Sequence, residues 1–244
     1  MRHLCLLLLA ALLGACASQE NRDPSGVWIN QAAIDAAVQN GSLREALLAY
    51  GPVLEWELDM PRRLARLSNG FELAEGALTS NAEEQWRVDF EGDYQETLVL
   101  EDASLVQQAS PTGPAQRFER SPVIPAANAP AGSHFEQALY TAYMSGTWTV
   151  REGPGQGGLV RFHPDGRVDG LSGVERYALC LAGDCASMNG EHDSLWLQQG
   201  DQGGPWVFVR DQEQLQIFEA RNRAAIDEIP DYAPGPLRWL LEQD

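Results

Sequence analysis

The sequence predicts a mainly β protein with a few short helices, arranged as two tandem antiparallel β-meander or barrel-like modules. Three observations carry this. Two segments open alike, Ser25-Gly26-Val27-Trp28 and Ser145-Gly146-Thr147-Trp148, and each leads into short runs of alternating apolar and polar residues. Between them Pro111, Pro114, Pro122, Pro125 and Pro130 punctuate Ala, Gly and Ser, a composition that supports neither a ladder nor a helix. Turn residues separate the alternating runs throughout, the pattern of strands that meander and close on themselves.

The chain starts with Arg2 and an apolar run, Leu4 to Leu13, too short to cross a bilayer as a permanent helix. A charged start, a short apolar stretch and small residues describe an export signal. The run ends on Leu13-Gly14-Ala15-Cys16, which resembles the lipobox of bacterial lipoproteins. The resemblance implies a signal peptide over 1–15 and acyl chains on the sulfur and amine of Cys16. Residues 16–24 then form a lipidated polar tether. Two or more chains anchor stably where one does not, so the membrane is the implied partner. In that family Asp after the cysteine favours the inner membrane. Ala17-Ser18 here imply the outer membrane of a Gram-negative envelope, facing the periplasm.

An N-terminal α+β module is expected over 25–120. Helical spacing from Asn30 to Ala49 places Ile34, Val38, Leu43, Leu47 and Leu48 in stripes on either side of Asn40-Gly41. Ser42 with Glu45 makes a capping box, so two short helices should meet at Gly41. Strands are expected over Val53–Asp59, Arg63–Ser68, Gln85–Phe90 and Gln95–Leu100, with Ala115–Arg120 as a closing strand. Residues 121–144 read as a Pro/Ala-rich linker ending in a helix over Phe135–Met144.

The C-terminal β module is expected over 145–223. Leu159–Phe162 runs into His163-Pro164-Asp165-Gly166, a strong turn signal, and Arg167–Asp169 resumes the alternation. Further strands are expected at Arg176–Cys180, Ser194–Gln198, Trp206–Arg210 and Gln214–Glu219, with a Gly-rich turn at Gly200 to Gly204. The tail, 224–244, is expected to carry a docked helix around Leu237–Leu241.

With Cys5 in the leader and Cys16 acylated, Cys180 and Cys185 remain. In the oxidising compartment that export implies, they should form a disulfide. Leu181-Ala182-Gly183-Asp184 between them reads as a hairpin loop. Closing so small a loop is worth about 2 kcal/mol. A redox pair would more often show two intervening residues at a helix N-terminus.

Charge excludes several functions. The chain carries 35 acidic residues against 17 basic ones, and all 17 are arginine. Without lysine there is no Schiff-base or P-loop lysine chemistry. A net charge of −18 leaves no basic face for phosphates, so nucleic acid is not an expected partner. A cationic envelope protein would be steered toward such a surface.

No catalytic residue is assigned, and no cofactor or metal is expected. Gly170-Leu171-Ser172-Gly173 lacks nucleophile-elbow spacing. His134, His163 and His192 have no metal-ligand spacing. Asp89, Glu91 and Asp93 alternate but lack the rest of a calcium loop. Most tryptophans fall on strands and read as core. Trp148, Tyr177, Trp196 and Trp206 are the candidate ligand-binding residues, on the premise that a small barrel can enclose an apolar molecule.

Ser145-Gly146-Thr147-Trp148 at the head of a meander resembles the Gly-x-Trp start of lipocalin-like barrels, which implies binding of lipids or other apolar molecules. Ser172-Gly173-Val174-Glu175-Arg176-Tyr177 resembles the Ser-Gly…Tyr loop of membrane-bound lysozyme inhibitors, although the chain is much longer than those. The expectation is therefore an outer-membrane lipoprotein that binds an apolar ligand or envelope partner without catalysis. A lysozyme-inhibitor-like protein is the alternative, and an envelope hydrolase a second one.

Overall fold

The computed structural model describes residues 23–111 and 113–243. Cys16 and the rest of 1–22 lie outside the described residues. Two eight-stranded antiparallel sheets follow one another along the chain. The first comprises β1 (Gly26–Ile29), β2 (Glu55–Asp59), β3 (Leu64–Ser68), β4 (Leu73–Ala82), β5 (Gln85–Asp89), β6 (Gln95–Glu101), β7 (Ser104–Gln107) and β8 (Gln116–Arg120). Each pairs with the next, and β8 returns to β1 with Arg120 opposite Trp28, closing a barrel. β1, β4 and β7 are additional to the five strand ranges expected from sequence. Inside, Trp28, Trp56, Trp86, Val88, Leu98 and Phe118 are buried in one cluster. Three indoles and a phenyl ring fill so narrow a barrel with side chains.

The second sheet comprises β9 (Gly146–Glu152), β10 (Leu159–Phe162), β11 (Val168–Asp169), β12 (Arg176–Leu179), β13 (Ser194–Gln199), β14 (Gln202–Asp211), β15 (Gln214–Asn222) and β16 (Tyr232–Gln243). The order β11-β10-β9-β16-β15-β14-β13-β12 places the first and last strands side by side. Its two edges meet at one bridge, Arg167 opposite Arg176. There Val168 N–H donates to Glu175 O and Tyr177 N–H to Gly166 O, each at 2.8 Å. Beyond that bridge the seam is completed by a side chain: the Leu179 N–H donates to the Tyr140 hydroxyl at 2.9 Å.

Three sequence expectations are corrected here. Residues 237–241 are not a helix but part of β16, which belongs to the second barrel instead of forming a separate tail. Pro234 and Pro236 oppose helix formation, and Trp239 and Leu241 are buried on one face with the period of a strand. The cysteine loop is not a strand-to-strand hairpin, because Cys185 lies in a short helix, Gly183–Met188. Gly-Asp-Cys-Ala-Ser-Met offers no alternation to pair with a neighbour. The disulfide itself is formed, with Cα atoms 5.8 Å apart. Gly203 and Gly204 lie within β14, so the turn before it is Gly200-Asp201 alone.

Among the described residues, four helices accompany the barrels. α1 (Gln31–Asn40) and α2 (Leu43–Ala49) lie between β1 and β2, as the spacing predicts. Gly41 joins them at φ +74°, and a Cβ there would stand 2.4 Å from the Arg210 carbonyl oxygen. Both facts call for glycine. The Ser42 hydroxyl accepts from Glu45 N–H at 3.4 Å. α3 (Ser133–Leu139) continues into a π turn, Tyr140–Met144, and runs straight into β9. α4 is the short Gly183–Met188 helix.

The helices tie the two barrels together. Ile34 and Leu43 of the first module, and Phe135, Leu139 and Tyr143 of the linker, belong to one core with Trp148, Phe162, Phe208 and Trp239 of the second barrel. The module boundary at 120 therefore follows the sheets but not the cores. Two carboxylates reinforce the junction from opposite sides. Glu55 on β2 accepts from Gly132 N–H at 2.9 Å and Phe135 N–H at 2.8 Å, capping α3. Asp193, just before β13, accepts from Leu43 N–H at 2.9 Å and Arg44 N–H at 2.6 Å, capping α2. Each satisfies helix-end donors that would otherwise lack partners. The disulfide loop docks there too, since a Cβ on Gly70 would meet Leu181 and one on Gly183 would meet the Phe71 ring.

Candidate functional site

A half-open groove of about 390 Å³ runs between the linker and the outer wall of the second barrel, where β12 meets the bridge that closes it. Pro125, Ala126, Ala129 and Pro130 form one wall, and Ala178, Trp196 and Gln198 of β12 and β13 the other. Glu136, Gln137 and Tyr140 approach from α3 and the π turn, and Asp165, Gly166 and Arg176 from the hairpin and the start of β12. The volume falls within the range of about 300–1,000 Å³ of small-molecule sites.

The strand period produces this surface. In β13, Leu195 and Leu197 point into the barrel and Trp196 points out, opposite Ala178 and Pro205 on its neighbours. Trp196 is 48% exposed although it is the largest side chain on the groove. Its indole lies across Gly203, where a Cβ would stand 2.2 Å from Trp196 Nε1. Any larger residue at 203 would displace the ring.

The floor is aromatic and uncharged. Tyr140 and Tyr177 stack with centroids 4.8 Å apart, and Tyr177 meets Phe162 edge-on at 5.3 Å. The Tyr177 hydroxyl donates to His163 O at 2.9 Å. Burial raises both phenols well above their ordinary value, so neither ionises near neutrality. Glu136 also interacts with the Tyr140 hydroxyl. Asp165 is paired with Arg167 at 2.8 Å. Burial alone would raise its pKa, but the Arg167 hydrogen bonds and charge prevail and the net direction is down. Asp165 is thus paired with a cation, whereas Glu136 faces a neutral phenol. The Gln137 side-chain oxygen, by contrast, is buried and has no hydrogen-bond partner among the described residues.

Of the four aromatic residues singled out from sequence, the structure brings two to this groove, Tyr177 in the floor and Trp196 in the wall. Trp148 is fully buried, with its ring 6.4 Å from Phe162 and the Arg210 guanidinium 5.7 Å above it. Trp206 packs on Trp239 at 5.2 Å. In the segment Ser172–Tyr177 the tyrosine is buried, so only Ser172, Gly173, Glu175 and Arg176 are left exposed there. Gln137 carries no signal in sequence, because the missing partner of its oxygen is revealed only by folding.

One Ser–His contact exists elsewhere: His134 Nδ1 lies 2.9 Å from Ser121 Oγ. Ser121 Oγ also donates to Val123 O at 3.1 Å and accepts from Val123 N–H at 3.3 Å, and so serves a turn. Among the described residues nothing bonds His134 Nε2, so this is not an oriented nucleophile–base pair.

Comparison with models of protein families, with curated proteins and with solved structures finds no match to this chain. The site stands on its geometry alone.

Proposed function

We propose that this chain is an outer-membrane lipoprotein, anchored through Cys16, that binds an envelope partner without catalysis through the groove beside Trp196. The carrying observation is the half-exposed Trp196 indole over a half-open groove, in a molecule whose barrel interiors hold their own packed side chains. A calyx ligand has little room in the first barrel, where three tryptophans already meet, so the binding surface is assigned to the outside. The acidic surface and the disulfide suit an exported, tethered body.

The anchor is tested by expressing the full chain with its leader and weighing the N-terminal peptide of the membrane fraction. Diacylglyceryl and acyl mass on Cys16, with release from the membrane in Cys16→Ala, is the expected result. A bare thiol in a protein that leaves the membrane in aqueous buffer overturns the anchor.

A further inference from the structure

We propose that the Cys180–Cys185 disulfide is a redox latch on the junction between the two barrels. The segment it closes runs against the first barrel. A Cβ on Gly70 would stand 2.7 Å from Leu181 Cβ, and one on Gly183 would stand 2.3 Å from the Phe71 ring. The loop therefore rests on the turn between β3 and β4. Just beyond it, Gly190 O accepts from Arg44 Nε, and Asp193 accepts from the first two N–H groups of α2.

Between these contacts lies α4, which has six residues and buries none of them. A helix of that length is not stable on its own, and none of its residues belongs to either core. Its shape is fixed by the covalent link from Cys185 to the end of β12 and by the Asn189 amide, which donates to Cys185 O. Cys180 is held independently, since its N–H donates to Ser194 O at 3.0 Å. Opening the bond therefore releases Cys185 and α4 while β12 stays paired. Both cysteines are only partly buried and Asp184 between them is exposed, so a thiolate has access.

The opening is a two-electron exchange with a dithiol. One thiolate of the dithiol attacks a sulfur of the pair and forms a mixed disulfide. The Cys180–Cys185 bond breaks, and the other cysteine leaves as a thiolate that takes up a proton. The second thiolate then displaces the attacked cysteine, which is protonated in turn, and the dithiol departs as a disulfide. A disulfide oxidant reverses both steps. Once α4 unwinds, Gly183 leaves Phe71 and the Gly190 carbonyl is no longer held against Arg44. Asp193 is then the remaining tie between this segment and α2.

The test is hydrogen exchange on the full chain, oxidised and after dithiothreitol, with reduction of Cys180 and Cys185 read by alkylation and mass. Exchange is expected to rise about tenfold over 183–190 and about threefold over Leu43–Ala49, as local opening requires. The strands β12 and β13 and those of the first barrel should not change. Reoxidation should restore the original pattern, and the Cys180→Ser, Cys185→Ser double variant should match the reduced chain. If that variant fails to fold, the reduced natural chain decides alone. Faster exchange spread through β12 and β13 would make the bond a staple of the second barrel and overturn the latch. So would release of α4 with α2 unmoved, no change at either segment, or a bond that dithiothreitol leaves intact in the folded chain.

Discussion

The two barrels begin with the same four-residue plan and close in different ways. In each, the tryptophan of Ser-Gly-x-Trp is buried and its indole N–H donates to the carbonyl four residues earlier. The acceptor is Pro24 O at 2.8 Å for Trp28 and Met144 O at 3.2 Å for Trp148. In each, the preceding glycine has positive φ, +116° at Gly26 and +145° at Gly146, and a guanidinium lies over the indole. The first barrel takes that guanidinium from its last strand, Arg120, and closes through strand pairing. The second takes it from β14, Arg210, and closes through one bridge and a tyrosine hydroxyl. A helix-borne side chain completes a ladder there, and the groove lies along that substitution. The less regular closure is where the exposed chemistry collects.

This contrast can be broken at its centre. Trp148→Ala is expected to cost about 3–5 kcal/mol, and to loosen α1, α2 and the linker helix with the second barrel, because all share one core. Trp28→Ala should cost a similar amount but leave that core ordered, since Trp28 belongs to the separate cluster. Hydrogen exchange on both variants checks this: equal loss of protection in the two barrels for W28A would show that the cores are not independent.

The junction gives the next effect. Glu55→Ala removes both acceptors at the start of α3, and about 2–3 kcal/mol is expected from charge-assisted bonds of this kind. Chemical denaturation should then show two transitions if the barrels retain separate stability. A single unchanged transition would mean that the cap contributes nothing to joining them.

The smallest effect is on pH dependence. Burial raises the pKa values of both Glu55 and Asp193, against the backbone N–H bonds that lower them. A folded-state value above the unfolded one means the folded chain binds the proton more tightly. This stabilising contribution is therefore full below the ordinary carboxylate value of about 4 and fades as pH rises through the raised folded value. The melting temperature should decline over that rise, and less steeply in Glu55→Ala. Asp23 and Asp165 are shifted the opposite way, but both are solvent-exposed, where screening leaves little net effect. A wild-type slope identical to that of Glu55→Ala would remove Glu55 from the account.

Much of the architecture was legible because its signals are local. Gly41, Ser42 and Glu45 define a helix break, and alternation in Trp206–Arg210 defines a strand, without reference to anything distant. β4 escaped because Leu73–Ala82 is mostly exposed and rich in small polar residues, so its pairing is decided by β3 and β5. The end of the chain misled because Leu237-Arg238-Trp239-Leu240-Leu241 suits either period locally. Its place between β9 and β15 decides. At the groove, Trp196 was recognisable as an aromatic on a strand. That it faces out while Trp148 faces in follows from register, and the isolation of Gln137 from the packing of a whole helix.

The position of β16 between β9 and β15 has a consequence for biogenesis. Before residues 232–243 emerge, the nascent second barrel must present two open edges, at β9 and at β15, either of which invites pairing with another chain. Secretion in an unfolded state would spare the cell that exposure, since the missing staves would arrive together on the far side. A chain stalled on the ribosome before residue 232 should therefore pair through those edges, whereas the first barrel, closed by residue 120, leaves no strand edge open.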